Sequence, residues 1–321
     1  MAVTNSLQTQ SKKSPPFSVA IRQDKWQDLI QNTLGDKDRA GRFVASITSA
    51  VAVSPTIQAC DAGTVLSAAL LGEVLNLSPS PQLGHFYMVP YKQKEKRDRD
   101  GKIVTPERTV AQFQIGYKGM LQLAIRSGYY RKIVVLPIKE GELLHWNPME
   151  EEIAVSLIDD EEKREATPTI GYYAMFEYMG GSFRKIMYWS KTKMEQHADR
   201  YSQAFSLATY RKLLNNEIPE RDLWKYSSFW YKDFDAMACK TMLRQLISKW
   251  GIMSIELQKA FNADEAVIKD NLTPEYLEPD GNAPDGLASP NTDALPPTEE
   301  QGTAEELPGG IFGGEEQQPV A

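Results

Sequence analysis

The spacing of apolar residues along this chain changes once, between Leu75 and Phe86, and that change restricts the fold more than any other feature. Before it the period is helical. Arg39 to Val53 places Phe43, Val44, Ile47, Ala50 and Val51 on one face, and Pro55 ends the run. A second run opens at Asp61, the expected N-cap, with Val65, Ala68, Ala69, Leu71 and Leu75 as its stripe and Pro79 beyond its end. Phe17 to Leu34 predicts a shorter amphipathic helix through Ile21, Trp26, Leu29 and Ile30. From Phe86 the chain reads as strands: Phe86 to Tyr91, Val110 to Ile115, Tyr130 to Ile138, Gly171 to Tyr178 and Phe183 to Trp189. A charged loop from Lys92 to Arg108, with a turn at Asp100-Gly101, joins the first two, and Met179-Gly180-Gly181 joins the last two. Helices are expected from Gly116 to Gly128, across the charged stretch 191–215, and from Tyr231 to Trp250 with Phe234, Ala238, Met242 and Leu246 inward. This order predicts an α+β fold with an antiparallel sheet.

Charge divides the chain differently. The net charge of −7 hides two unlike parts. Residues 262–321 hold 14 acidic residues and one basic residue, Lys269, and are rich in Pro and Gly. Positions 1–261 hold 29 acidic and 35 basic residues. A basic body with an acidic tail suits a polyanion-binding protein, although an excess of that size is also ordinary, so its distribution matters more than its sum. The expected organisation is a disordered arm over 1–16, a folded domain over 17–261 and a disordered acidic tail over 262–321. No run of 18 apolar residues occurs, and the polar stretch Met1–Lys13 lacks a secretory signal, so a cytoplasmic protein away from membranes is expected. Cys60 and Cys239 sit in apolar helical settings and are expected to be reduced core residues.

Familiar catalytic patterns are missing. There is no GxxxxGK[ST] phosphate loop, no GxGxxG after a strand, no G-x-S-x-G elbow and no zinc-binding spacing among His85, His145 and His197. Carboxylates cluster at Asp98/Asp100, Asp159–Glu162 and Asp233/Asp235. Each has a structural explanation as a hairpin tip, a solvated loop or the acidic start of a helix. A metal-dependent nuclease would need carboxylates fixed around its ions, and it stands as an alternative, as does a structural oligomeric protein.

Cations and rings concentrate between residues 84 and 132. This stretch has 11 basic and 4 acidic side chains, interleaved with Tyr87, Tyr91, Phe113, Tyr117, Tyr129 and Tyr130. Cations that track phosphates beside rings that stack on bases are what a single-strand binder requires. Lys118, Gln122 and Arg126 are four apart and share a helix face; Gly119 in the same helix would let a phosphate approach the backbone. Lys240 and Arg244 repeat the spacing on the long helix, opposite its core stripe, and the two faces are expected to wall a groove. For any one of these residues a solvated helix face is the competing explanation.

The run Phe113-Gln114-Ile115-Gly116-Tyr117-Lys118-Gly119-Met120-Leu121-Gln122-Leu123-Ala124-Ile125-Arg126-Ser127-Gly128 resembles the signature of RecT-type single-stranded DNA annealing proteins of phages. Leu75–Pro79, Gly84–Tyr91, Glu140–Glu142, Trp146–Pro148, Gly180–Lys185 and Trp230–Arg244 fit the same family, in order, over residues 40–260. The charged loop 92–108 looks longer than in that family. The resemblance implies N-terminal helices and an antiparallel β-β-β-α core shared with eukaryotic repair annealing proteins. It implies a protein that binds single-stranded DNA, anneals complementary strands in recombination and repair without ATP or covalent chemistry, and holds the annealed duplex intermediate. It also implies a homo-oligomer, as a ring or helical filament, working beside an exonuclease and a host single-strand binding protein. No cofactor is implied, Mg2+ acting only as an influence on annealing. The expected DNA contacts are Lys118, Gln122, Arg126, Lys240 and Arg244, with Tyr117 and Gln114 lying against the strand and Lys92, Arg131, Arg184, Lys185 and Arg200 as secondary contacts.

Overall fold

Helical spacing before Leu75 produces α1 (Phe17–Ala20), α2 (Asp24–Leu34), α3 (Lys37–Ala52), α4 (Pro55–Gln58) and α5 (Ala62–Val74) in a computed structural model. The structure describes residues 16–276 apart from 98–100, 182, 203 and 227. Asp36 and Asp61 cap α3 and α5 by accepting from the N–H groups of Arg39 and Thr64. The single helix expected over Phe17 to Leu34 is broken between α1 and α2, where Ile21 turns into the core. α5 is buried all round from Thr64 to Gly72 and forms the centre of this half.

The middle of the chain supplies β1 (Phe86–Gln93), β2 (Lys96–Arg97), β3 (Ile103–Thr105), β4 (Arg108–Ile115), α6 (Tyr117–Arg126), β5 (Tyr130–Lys139), β6 (Leu143–Asn147), β7 (Glu152–Val155), α7 (Glu161–Ala166), β8 (Thr169–Tyr178) and β9 (Arg184–Ser190). Then come α8 (Lys191–Tyr201), α9 (Leu207–Leu214), a 3-10 turn over Glu220–Lys225, α10 (Phe229–Lys232), α11 (Phe234–Trp250), α12 (Ile255–Ala263), β10 (Ala266–Ile268) and β11 (Pro274–Glu275). The stretch 191–215 is two helices, because Ser206 caps a new one.

Two sheets organise these elements. One has the order β1-β4-β10-β11, and the other β5-β8-β9, with all pairs antiparallel. β1 pairs with β4 from Phe86↔Ile115 to Gln93↔Arg108, and its inward Phe86 lies so close to α5 that a Cβ on Gly72 would stand 2.3 Å from the ring. α11 packs across β8 and β5 through Phe234, Ala238, Met242 and Leu246, the stripe its spacing predicts. The result is the expected mixture of helices and antiparallel sheets. Asp235 pins α11 to the sheet by accepting from Thr169 Oγ1 at 2.6 Å and the Tyr172 hydroxyl at 2.7 Å. Glu142 is fully buried and is held by Arg164 and by the N–H groups of Lys139 and Ile158.

The expected end of the folded part at Phe261 is corrected. Ala263 to Ile268 are buried, β10 adds to β4 at Ala266↔Phe113 and Val267↔Gln112, and Glu265 donates its N–H to the Phe113 carbonyl. A three-residue strand among acids has no period to reveal it, so composition alone places it in the tail. Expectations for the arm over 1–15, the tail over 277–321 and the turn at Asp98–Asp100 fall outside the described residues.

Candidate nucleic-acid interface

Two glycines position α6. Gly116 donates its N–H to the His85 carbonyl at 2.9 Å. A Cβ on Gly116 would stand 2.1 Å from the Gly84 oxygen, and one on Gly119 1.9 Å from the His85 oxygen. Only glycine lets the first turn of the helix lie directly on this backbone. The expectation that Gly119 admits a phosphate is thereby corrected, since the His85 carbonyl fills that space.

The same packing gathers side chains. The Tyr87 hydroxyl and the Lys118 Cδ both border Gly84, 3.0 and 3.7 Å from where its Cβ would be. Lys118, Gln122 and Arg126 stand exposed on one face of α6, as their spacing predicts. Tyr87 is exposed beside them. His85 is half-buried, and its Nδ1 accepts from the Ser78 N–H at 3.2 Å. Burial, then the cations of Arg126 and Lys118, hold its pKa below the usual histidine value, so the ring is neutral at pH 7. Arg126 also supports the fold. Its guanidinium donates to the carbonyls of Leu75 at 2.6 Å and Asn76 at 3.0 Å, the free carbonyl end of α5.

Residues 126–131 carry this band from α6 into β5. There Arg131 pairs with Glu177, and the sheet register sets Lys132 and Arg184 opposite the same carboxylate. The Arg131 hydrogen bond holds Glu177 below the usual carboxylate range. Three exposed cations around one carboxylate leave net positive charge. Tyr129 and Phe183 are exposed at this end of the sheet, Tyr129 tied to Met179 and Phe183 stacked on Tyr178 at 5.5 Å. Interleaving of rings and cations in the sequence points to Tyr87, Tyr129 and Lys132, which were not among the expected contacts. Phe183 joins them only through the β8–β9 hairpin.

The structure places the other expected contacts differently. Lys92 is exposed on β1 opposite Thr109, farther along the strand than Tyr87. Gln114 is half-buried opposite Tyr87, with its Nε2 enclosed and without a hydrogen-bond partner. Tyr117 is half-buried against the core; burial, and then Cys239 of α11, raise its phenol pKa. Lys185 pairs with Glu151 and lies 3.7 Å over the Trp250 ring. Arg200 ends α8, over the Tyr201 ring at 5.3 Å, on a helix packed against β8 and β9. Lys240 is half-buried on α11, which packs on α6.

Arg244 is the clearest departure. It pairs with the buried Asp264, whose second oxygen accepts from the Ile115 N–H at 2.9 Å, and it stacks 5.3 Å over Phe261. Its side chain is 12% exposed. The expectation that Arg244 lines an open cationic wall with Lys240 is corrected, because Phe261 of α12 and Asp264 just beyond it, unseen in the sequence, cover its guanidinium.

Three of the clustered carboxylates among the described residues have structural roles. Asp233 caps α11, Asp160 caps α7 and Asp235 serves β8. Among the described residues no three of His, Cys, Asp and Glu gather where they could hold a metal ion, and no helix is long and apolar enough to cross a membrane. Cys60 and Cys239 are unpaired thiols whose pKa values burial pushes up to about 12.

Residues 41–276 match the model of the RecT family. The uncharacterized protein YqaK of Bacillus subtilis (strain 168) is 39% identical over 241 residues, 75% of this chain and 67% of that protein. Protein RecT of Escherichia coli (strain K12) is 24% identical over 246 residues, 76% of this chain and 78% of that one.

Proposed function

We propose, from the premise that this chain belongs to the RecT family, that it holds single-stranded DNA along the exposed face of α6 and the adjoining end of the β5-β8-β9 sheet. Family membership makes it a DNA-binding protein of recombination and single-strand annealing. The finer reading is annealing without ATP or covalent chemistry, by an oligomer in ring or filament form, beside an exonuclease and a host single-strand binding protein. The observation that carries the placement is the band of Lys118, Gln122 and Arg126 beside Tyr87, continued by Arg131, Lys132 and Arg184 beside Tyr129 and Phe183.

Cations along this band take the phosphates, and exposed rings offer planar contact to bases without reading them. Sequence is then read by the second strand through base pairing. Each matched step contributes about 1.4 kcal/mol of stacking, so a correct duplex outcompetes random contacts within a few steps. No side chain has to break or form a bond. The fold also suits the three-strand-plus-helix core of eukaryotic repair annealing proteins, with β5, β8, β9 and α11 in those roles. The test is an annealing assay with two labelled complementary oligonucleotides and no nucleotide triphosphate. Accelerated duplex formation with both strands at full length supports the reading; shortened strands with Mg2+ or Mn2+ would make the protein a nuclease.

A further inference from the structure

At its sheet end the cationic band is bordered by apolar side chains that a single strand of DNA does not explain. Ile125 of α6 is 60% exposed, Met179 59% and Ile255 at the start of α12 68%, and Ile252 is exposed beside them. They surround the exposed rings of Tyr129 and Phe183, with Trp250 beyond. Hydrogen bonds tie these segments into one surface. Met179 donates its N–H to the Tyr129 carbonyl at 2.9 Å, and the Tyr130 hydroxyl donates to the Ile252 carbonyl at 2.6 Å. The Tyr178 hydroxyl accepts from the Ile252 N–H and donates to the Trp250 carbonyl, each at 2.9 Å. Glu256 is held below the usual carboxylate range by the backbone and the Ser254 hydroxyl, and then by Arg126 and Lys259, so the start of α12 lies beside the last turn of α6. Phosphates take cations and bases take rings, but isoleucine and methionine serve neither. Apolar side chains gathered in this way mark a surface that a protein segment covers.

Charge and position indicate which segment. Arg126, Arg131, Lys132, Arg184 and Lys259 stand among these side chains, against Glu177 and Glu256. With the hairpin flank included, where Lys185 and Lys249 meet Glu150–Glu152, seven cations stand against five acids and the surface stays positive. Residues 277–321 hold ten acidic residues and no basic one. Within them Leu307, Ile311 and Phe312 lie between Glu305-Glu306 and Glu315-Glu316, which complements the surface in both charge and apolarity. The tail also starts close by. Tyr276, the last described residue, donates its hydroxyl to the carbonyl of Asn262, about 10 Å along α12 from Ile255. The chain from Tyr276 to Ile311 can extend over about 115 Å, so reach imposes no limit.

We infer that residues 305–316 dock on this apolar end of the band in the absence of DNA and leave it when a single strand takes the surface. The inference rests on the proposed placement of DNA for what the tail competes with, while the docking itself rests on the surface and the tail. Tethering holds the segment at a local concentration on the order of millimolar, so a contact of only about 0.1 mM affinity as a free peptide weakens DNA binding about tenfold.

The test is fluorescence anisotropy on the full chain with two probes, labelled oligo(dT) and a labelled peptide of residues 301–318. Ile311→Ser/Phe312→Ser removes the apolar anchor and keeps every charge of the tail. Ile255→Gln alters the docking surface at a side chain outside the DNA band. Circular dichroism checks folding, and Ile252→Gln replaces Ile255→Gln should that variant misfold. The anchor variant is expected to bind oligo(dT) about tenfold more tightly than the wild type. The peptide should bind the anchor variant saturably, yield to oligo(dT), and bind several-fold more weakly once Ile255→Gln is added. The docking is overturned by a peptide that fails to bind at about 1 mM, that binds equally with serine at 311 and 312, or that ignores Ile255→Gln. A displaced peptide with wild-type oligo(dT) affinity in the anchor variant also overturns it, and leaves the site to an acidic segment of another protein. A peptide that docks as described but is not displaced by oligo(dT), with DNA affinity equal in all variants, would condemn the placement of DNA and leave the docking standing.

Discussion

Lys118 and Arg244 carry the same charge on helices that touch, yet the structure assigns them opposite work. Lys118 reaches solvent beside Tyr87, while Arg244 is sealed against Asp264 and Phe261. Removing one partner of a buried ion pair strands the other, a cost of about 3–5 kcal/mol. Arg244→Ala is thus expected to lower stability by that amount in denaturant titration and to lose DNA binding only as it unfolds. Lys118→Ala should melt like the wild type but bind DNA with a salt slope smaller by about 0.7. Equal loss of stability in the two variants would contradict this division. Glu142 gives a pH signature. Burial opposes its charge, but Arg164 and two backbone N–H groups prevail and hold its carboxyl below the usual glutamate pKa of 4.5. A depressed carboxylate stabilises the fold above its unfolded pKa, and that contribution fades as pH falls through the folded value. Stability should therefore drop below about pH 4.5, and Glu142→Gln, less stable at neutral pH, should show a flatter decline there. A decline equally steep in the variant would remove Glu142 as a cause.

At the scale of elements, α6 is defined by what it rests on. Gly119→Ala drives a Cβ into the His85 carbonyl, a backbone atom that cannot swing away. Overpacking of this kind costs about 1–3 kcal/mol, and thermal denaturation should show it even though alanine favours helices. A variant as stable as the wild type would mean that α6 does not sit on residues 84–85. Caps and stripes such as Asp61, Phe43–Val51 and Phe234–Leu246 were legible in the sequence because local chemistry sets them. β10 was not, because its identity lies in pairing with β4, more than a hundred positions earlier in the chain. A chain cut after residue 261 loses Asp264 and the β10 pairing and is expected to unfold at markedly lower temperature, while one cut after 276 keeps both. Equal melting of the two would return the boundary to Phe261.

For the whole molecule, the distribution of charge says more than its total. The net value is acidic, yet α6, β5 and β9 expose Lys118, Arg126, Arg131, Lys132 and Arg184 together with the rings of Tyr129 and Phe183, and the acidic excess of the sequence lies in residues 262–321. The sequence showed the concentration of cations between residues 84 and 132 but not which were free, since burial of Arg244, half-burial of Lys240 and the pairing of Lys185 depend on distant segments. The most direct measurement is fluorescence anisotropy of labelled oligo(dT) across a salt series, comparing the wild type with Lys118→Ala/Arg131→Ala/Arg184→Ala. These side chains contribute little to the core, and each phosphate contact adds about 0.7 to the slope of log affinity against log salt on a single strand. The slope is expected to fall by about 2, with folding preserved. An unchanged slope and affinity in the folded triple variant would show that DNA lies elsewhere.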